Sequence, residues 1–295
     1  MAQTQVKVKA QTQTQVQARG RRKRKWLKPI TLLKYLTFLV IVVVFFFPIF
    51  WMLSTSFKPN NEVINSPPIF VTSRPTISGY IEALEARGTI ALRNSLIVST
   101  AATIVSIVTG SLAAYSFARF KLGGFHLPFW ILSTRMMPAV ASIIPIFILF
   151  KNLGFIDTWY GISITHLVIT LPFAVWMMRG FFMEVPVELE ESAMIDGASR
   201  LKALFRVVLP ITASGLAVTA FFTFIFSWNE FIFALILSRR AATTLPVLIS
   251  GMHAAHGVLW SVMSALAVLG MIPVLVLAFF SQKYLVRGMT LGAIE

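Results

Sequence analysis

Apolar residues gather in six blocks, near 32–53, 94–117, 129–150, 161–182, 211–237 and 262–282, separated by polar, charged or proline-bearing segments. Each block meets the ~20 residues that a helix needs to cross a ~30 Å hydrocarbon slab. The pattern predicts an all-α, polytopic membrane protein with six transmembrane helices. Residues 1–28 mix a Gln/Thr/Val/Lys stretch with the basic run Arg21–Lys25, offer nothing to bury, and read as a disordered basic cytoplasmic arm before a transmembrane domain at 29–295. A basic run before an apolar block also describes a signal peptide. The block at 32–53 is too long for one and lacks a small-residue cleavage site, so it is expected to stay as the first span. Residues 55–93 carry Pro59, Pro67, Pro68, Pro75 and Gly79 and read as an external loop. Pro48, Pro138, Pro145, Pro172 and Pro273 fall inside blocks, where neighbouring helices or cavity water must satisfy the carbonyls they free.

Composition sharpens this picture. Hydrophobic residues make up 57% of the 295 and charged residues 13%, against about 25% charged in ordinary soluble domains. The net charge of +15 would suggest nucleic acid in a soluble chain. Here the bases lie between spans, so no nucleic-acid partner is expected and membrane lipid is. Of the 26 Lys and Arg, 18 fall on the side of the termini and 7 on the other, with Arg135 inside a block, which predicts both termini cytoplasmic. There is no cysteine, so disulfides and thiolate chemistry are excluded.

Enzyme chemistry is poorly represented. No phosphate-binding Gly-rich loop ending in Gly-Lys-Ser/Thr and no His-Glu-x-x-His is present, so catalysis by this chain is not expected. His253 and His256 have the spacing to share a helix face, but no carboxylate or cysteine stands near them and no metal is expected. Within the spans the ionisable residues are Arg135, Arg179, His166 and Glu230. The two arginines are expected near cytoplasmic ends, snorkelling to the interface. Glu230 stands with Trp228 and Asn229, a set that suits stacking and hydrogen bonding on a sugar, or hydrogen bonding between helices.

The linker between the fourth and fifth spans, about 184–210, is the longest internal one on the cytoplasmic side and the most charged. Pro186 suits a first helical turn, and Glu188, Glu190 and Glu191 complement the positive end of the helix dipole. Met194, Ala198, Leu201, Phe205 and Val208 form an apolar stripe, with Glu190, Glu191, Asp196, Arg200 and Lys202 left to water or a partner. Gly197 permits a turn between two short helices. A surface helix lying on the membrane interface has the same pattern.

Glu191-Ser192-Ala193, three residues, Gly197-Ala198 and a later Leu209-Pro210 resemble the EAA loop of ABC importer permeases, with Glu190 and Asp196 inside the motif and Ser192 where the family usually has Ala. Asn94-Ser95, Ala118-Arg119-Phe120, Trp228-Asn229-Glu230-Phe231 and Thr244-Leu245-Pro246-Val247 extend the likeness over residues 30–295, to the second permease of maltose-type carbohydrate importers. The resemblance implies the type I importer permease fold in a bacterial inner membrane. It implies a permease moving a sugar or polyol by alternating access, paired with a sister permease and two ATPase subunits. The ATPases use ATP and Mg²⁺, so this chain binds no cofactor itself. It further implies an extracytoplasmic solute-binding protein, received by a loop about Arg239–Trp260 that includes Gly251, His253 and His256. The tail 287–295, with Gly288 and Gly292, would enter the ATPase interface or fray. The alternative to this reading is an ATP-independent secondary transporter or channel, which would need intramembrane carboxylates.

Overall fold

The computed structural model describes residues 29–254 and 257–290. The chain falls into two units, one ending at Phe50 and the other Trp51–Glu295. The expected basic arm at 1–28 lies outside the described residues. Helix α1 (Pro29–Ser56) crosses the unit boundary, and from Leu33 to Phe47 its large apolar side chains, such as Phe38 and Phe45, are exposed, as suits contact with lipid tails.

In the second unit the expected external loop is largely ordered. It holds α2 (Asn60–Val63) and α3 (Ser78–Glu85), and α4 (Gly88–Phe120) starts six residues before the apolar block does. The apolar pattern could not show this, because polar residues of this segment are buried against the bundle rather than solvated. Lys58 is buried with its Nζ 4.2 Å from the Trp51 ring centre. Asn60 accepts a hydrogen bond from Ser261.

The block at 129–150 is two helices. α5 (His126–Ser133) runs through a tight turn, Thr134–Met136, before α6 (Ala139–Asn152) leaves at 88°. Pro138 sits at the bend, where it has no N–H to donate and holds Met137 extended (φ −67°, ψ 128°). α7 (Trp159–Glu184) is an unbroken span with Pro172 inside it. The linker forms α8 (Val187–Ile195), α9 (Arg200–Ala203), a π-turn at Leu204–Val208 and α10 (Leu209–Ile211). α11 (Ala213–Trp228) then departs at 83° beyond Thr212, which takes a non-helical φ −91°, ψ 16°. The block at 211–237 is therefore also broken, at 229–231, into α11 and α12 (Ile232–Leu237). α13 (Leu245–Ser250) and a two-residue antiparallel ladder, β1 (His253–Ala254) with β2 (Gly257–Val258), lead into α14 (Trp260–Thr290). α14 runs eight residues beyond the expected end, so Arg287 and Gly288 are helical; 291–295 lie outside the described residues.

Four helices, α1, α4, α7 and α14, are each long and apolar enough to span a membrane, and counting each bent pair as one span gives six. The axis of the unit is α4 against α7. A Cβ on Gly110 would lie 2.9 Å from the Ala174 Cβ, so the close crossing there requires glycine. Buried hydroxyls tie the same faces, with Ser106 and Thr170 Oγ atoms 2.7 Å apart. Three apolar clusters follow the bundle. One joins α3, α4, α11 and α14 around Phe224, Trp228 and Leu266. A second joins α4, α7 and the linker around Tyr115, Phe182 and Leu204, and a third surrounds Val98, Phe150 and Leu237.

Candidate functional site: a docking element, a cavity and a pinned loop

The linker is built much as its residues predict, with two corrections. Pro186 caps α8, and Gly197 takes φ +86°, the left-handed region that ends helices, with its N–H donating to Met194 O at 3.0 Å. Ser199 then caps α9 by accepting from Lys202 N. Glu191, Ser192, Asp196 and Gly197 are exposed, and Ala193 and Ala198 half-buried. Ile195 is 86% exposed at the end of the same helix, an apolar side chain left uncovered among the described residues.

The first correction concerns Glu190, which was expected to face water or a partner and is instead 3% exposed. Tyr115 Oη donates to its Oε2 at 2.7 Å, and Arg119 Nε donates to its Oε1. Arg119 Nη2 also donates to Val185 O at 3.0 Å. The Ala118-Arg119-Phe120 motif thus lashes the end of α4 to the α7–α8 junction. The second concerns the stripe. Val208 is buried, but Leu201 and Phe205 are 59% exposed, and Ala203 and Leu204 face inward in their place. The left-handed Gly197 and the π-turn each rotate the chain away from the 3.6-residue phase on which the stripe was counted.

At the other end of α4, about 37 Å away at 1.5 Å per residue, two further motifs 150 residues apart meet. Asn94 Nδ2 donates to Ala241 O (2.8 Å) and Thr243 O (3.0 Å), while Ser95 Oγ accepts from Leu245 N at 2.8 Å. Their loop, 238–244, closes on Asp157, a residue that the sequence reading passed over. Its carboxylate accepts the backbone N–H of Arg239 (2.9 Å), Arg240 (3.1 Å), Ala241 (2.8 Å) and Ala242 (2.9 Å). Arg87 Nη1 donates to Arg240 O at 2.9 Å. A lone acid in Gly154-Phe-Ile-Asp157-Thr carries no motif; its φ of +57° and its partners some 80 residues on appear only in three dimensions.

Burial would raise the pKa of Asp157, but the four N–H donors outweigh it and hold the carboxyl below its ordinary value near 3.8. Its folded pKa is lower than its unfolded one. Its stabilisation is therefore complete above the unfolded value, about 3.9, and is lost as pH falls through the lower folded value. Protection of the 239–242 amides from hydrogen exchange is expected to hold at pH 5 and to fall first at this loop on acidification below pH 4.

Between these ends lies a cavity of about 670 Å³, lined by Trp228, Asn229, Phe231, Leu245, Met263 and Met271 among others. Trp228 stacks on Phe224 (5.5 Å, 18°), and exposed Asn229, also in the lining, donates to Ile225 O. Glu230 does not join them. Its oxygens accept from Phe233 N (2.9 Å) and Ala234 N (3.1 Å), capping α12. His166 Nε2 of α7 lies 3.1 Å from its Oε2, close enough for an ion pair though off the axis of a hydrogen bond, and His166 Nδ1 is 2.7 Å from Ser227 Oγ. Of the trio, Trp228 and Asn229 face the cavity and Glu230 holds helices together. Gly251 ends α13, His253 stands in β1 opposite Val258, and His256 lies outside the described residues.

Arg179 stands five residues from the end of α7, as expected, whereas Arg135 departs from the expected position. Arg179 keeps its Nε buried without an acceptor among the described residues. Arg135 lies at the bend, against Phe173, near the middle of α7.

The second unit, with its long apolar helices, two bent helix pairs, an exposed short helix lashed to one end and a pinned loop at the other, has the form of a membrane permease. Comparison confirms the class: residues 106–291 match the family described as binding-protein-dependent transport system inner membrane component, and the chain belongs to that family. It is 36% identical over 260 residues to the probable ABC transporter permease protein y4oR of Sinorhizobium fredii, covering 87% of this chain and 92% of that one. It is 32% identical to the trehalose/maltose transport system permease protein MalG of Thermococcus litoralis, covering 87% and 94%. Among solved structures, a chain of a bacterial ABC transporter that imports the acidic polysaccharide alginate shares the fold, with a TM-score of 0.72 at 21% identity over 86% of this chain and 96% of that one.

Proposed function

We propose that this chain is one of two permeases of an ATP-driven importer for a sugar or polyol. α8–α10 is its docking element for a separate ATPase, and the 670 Å³ cavity is part of its solute path. The observation that carries the reading is the contrast within α8. Glu190 is buried and lashed to α4, while Glu191, Ser192, Ile195 and Asp196, all within two turns of it, are left uncovered. A rigid link to a spanning helix with an exposed mixed face suits a lever pressed by a partner. ATP and Mg²⁺ then belong to the ATPase pair, and this chain carries out no catalysis. The Lys/Arg bias supports cytoplasmic termini, which puts α8 on the ATPase side and the 238–258 segment on the side of a solute-binding protein. Permeases named for trehalose/maltose and, at 32% identity in Agrobacterium fabrum, for sulfoquinovosyl glycerol support a carbohydrate cargo. An ATP-independent carrier would need a titrating carboxylate in its path, and Glu230 is taken up in capping α12.

The test is transport by the assembled importer in proteoliposomes. Gly197→Pro cannot adopt φ +86° and loses the N–H that closes α8, and Glu191→Lys inverts a charge on the exposed face. Both are expected to abolish ATP-driven uptake while the protein still inserts and pairs with its sister permease. Uptake at the normal rate in both variants would remove the coupling role.

A further inference from the structure

We infer that Arg135 is a solute-contacting residue that makes the pathway selective for carbohydrates bearing an oxyanion, a carboxylate, sulfonate or phosphate. The inference rests on the importer reading and adds to it a class of cargo. The Arg135 guanidinium carbon lies 4.1 Å from the ring centre of Phe226 on α11 and 5.2 Å from that of Phe173 on α7. A guanidinium on a ring face engages through its flat surface, and its five N–H donors lie in its own plane. Phe173 and Phe226 stand at 88° to each other, so the guanidinium can lie flat on only one of them, and neither ring contact uses up its N–H donors. Among the described residues it has no carboxylate or hydrogen-bond acceptor. Glu230, the acid of the neighbouring segment, is already bonded to the Phe233 and Ala234 amides and paired with His166.

Depth excludes the usual outlet for such a charge. Phe173 is 14 residues from Trp159 and 11 from Glu184, the ends of α7, or about 21 and 16 Å at 1.5 Å per residue. An arginine held there is near the middle of the slab, beyond the reach of headgroup phosphates. It borders a cavity of about 260 Å³, which is lined also by Thr134, Ser142, Ile146 and Val168 and lies where span three bends. That volume admits one sugar ring or its acidic substituent, and a charge-assisted bidentate contact with an oxyanion would complete the guanidinium.

The test uses the assembled importer, with the native absence of cysteine in this chain as background. Arg135→Cys and, on the same cavity, Ser142→Cys are exposed to 2-sulfonatoethyl methanethiosulfonate, a hydrophilic anion, in the nucleotide-free and vanadate-trapped states. Both positions are expected to label from water in one state and to be protected in the other. Thermal unfolding of the wild-type complex is then followed with glucuronate and with glucose as probes. Glucuronate is expected to raise the midpoint more than glucose, the difference vanishing in Arg135→Gln and surviving in Arg135→Lys. Failure of both cysteines to label in either state would overturn the proposal, as would equal effects of the two probes on the wild type or a persistent difference in Arg135→Gln. ATPase stimulation in the same wild-type preparation reports separately on the importer reading.

Discussion

Glu190→Ala is expected to be among the most damaging single substitutions in this protein. It leaves the Arg119 guanidinium, whose side chain is 7% exposed, without its carboxylate, and strands the Tyr115 hydroxyl beneath the docking helix. Breaking a buried ion pair from one side costs about 3–5 kcal/mol, because the remaining charge stays desolvated. The loss should appear as a lower unfolding temperature of the purified complex and as ATPase activity no longer linked to uptake. Arg119→Met combined with Glu190→Leu removes both charges and fills the space, and is expected to recover most of the stability. It should not recover coupling in full, since Arg119 also holds Val185 O at the α7–α8 junction. A double variant no more stable than Glu190→Ala would mean that the pair is not the source of the loss.

Asp157→Ala is expected to be comparably severe at the opposite end. Four successive amides, Arg239 to Ala242, lose their shared acceptor at once. Arg239, Arg240 and Ala241 are exposed, so water can replace the carboxylate at their amides, and the loop is expected to open rather than hold four unmet donors. Rapid hydrogen exchange at 239–242 and cleavage after Arg239 or Arg240 by trypsin should follow, with α4, α7 and α14 still protected. Asp157→Asn keeps one acceptor oxygen and should fall between. Wild-type trypsin resistance in Asp157→Ala would show that Asn94, Ser95 and Arg87 hold the loop unaided.

Much of this was legible from local pattern. The six apolar blocks correspond to four spanning helices and two bent helix pairs, because the hydrocarbon slab demands length and apolarity that one-dimensional counting detects directly. Gly197 and Pro186 were readable as punctuation for the same kind of reason, since a left-handed φ and a missing N–H are properties of single residues. The misreadings share one cause, dependence on partners distant in the chain. The linker stripe failed because a π-turn shifted its phase. Glu190 looked like a surface charge because its partners, Tyr115 and Arg119, stand more than 70 residues earlier. Arg135 looked like a snorkelling end residue because the 88° bend beside it could not be foreseen from Pro138 alone, when Pro48, Pro172 and Pro273 sit within helices that continue through them.

By itself, then, the sequence determined that the chain crosses a membrane six times as helices, that it carries a docking-type segment punctuated at Pro186 and Gly197, and that the segment resembles those of importer permeases. Each of these depends on residue type and spacing within one stretch. Only the tertiary structure decided which charges are paired, which face of the linker is exposed, that Glu230 caps a helix while Trp228 and Asn229 border a cavity, and that Asp157 gathers a loop some 80 residues away. Those outcomes follow from desolvation. A buried charge or amide must find its partner wherever the bundle brings one, and sequence distance has no bearing on that choice.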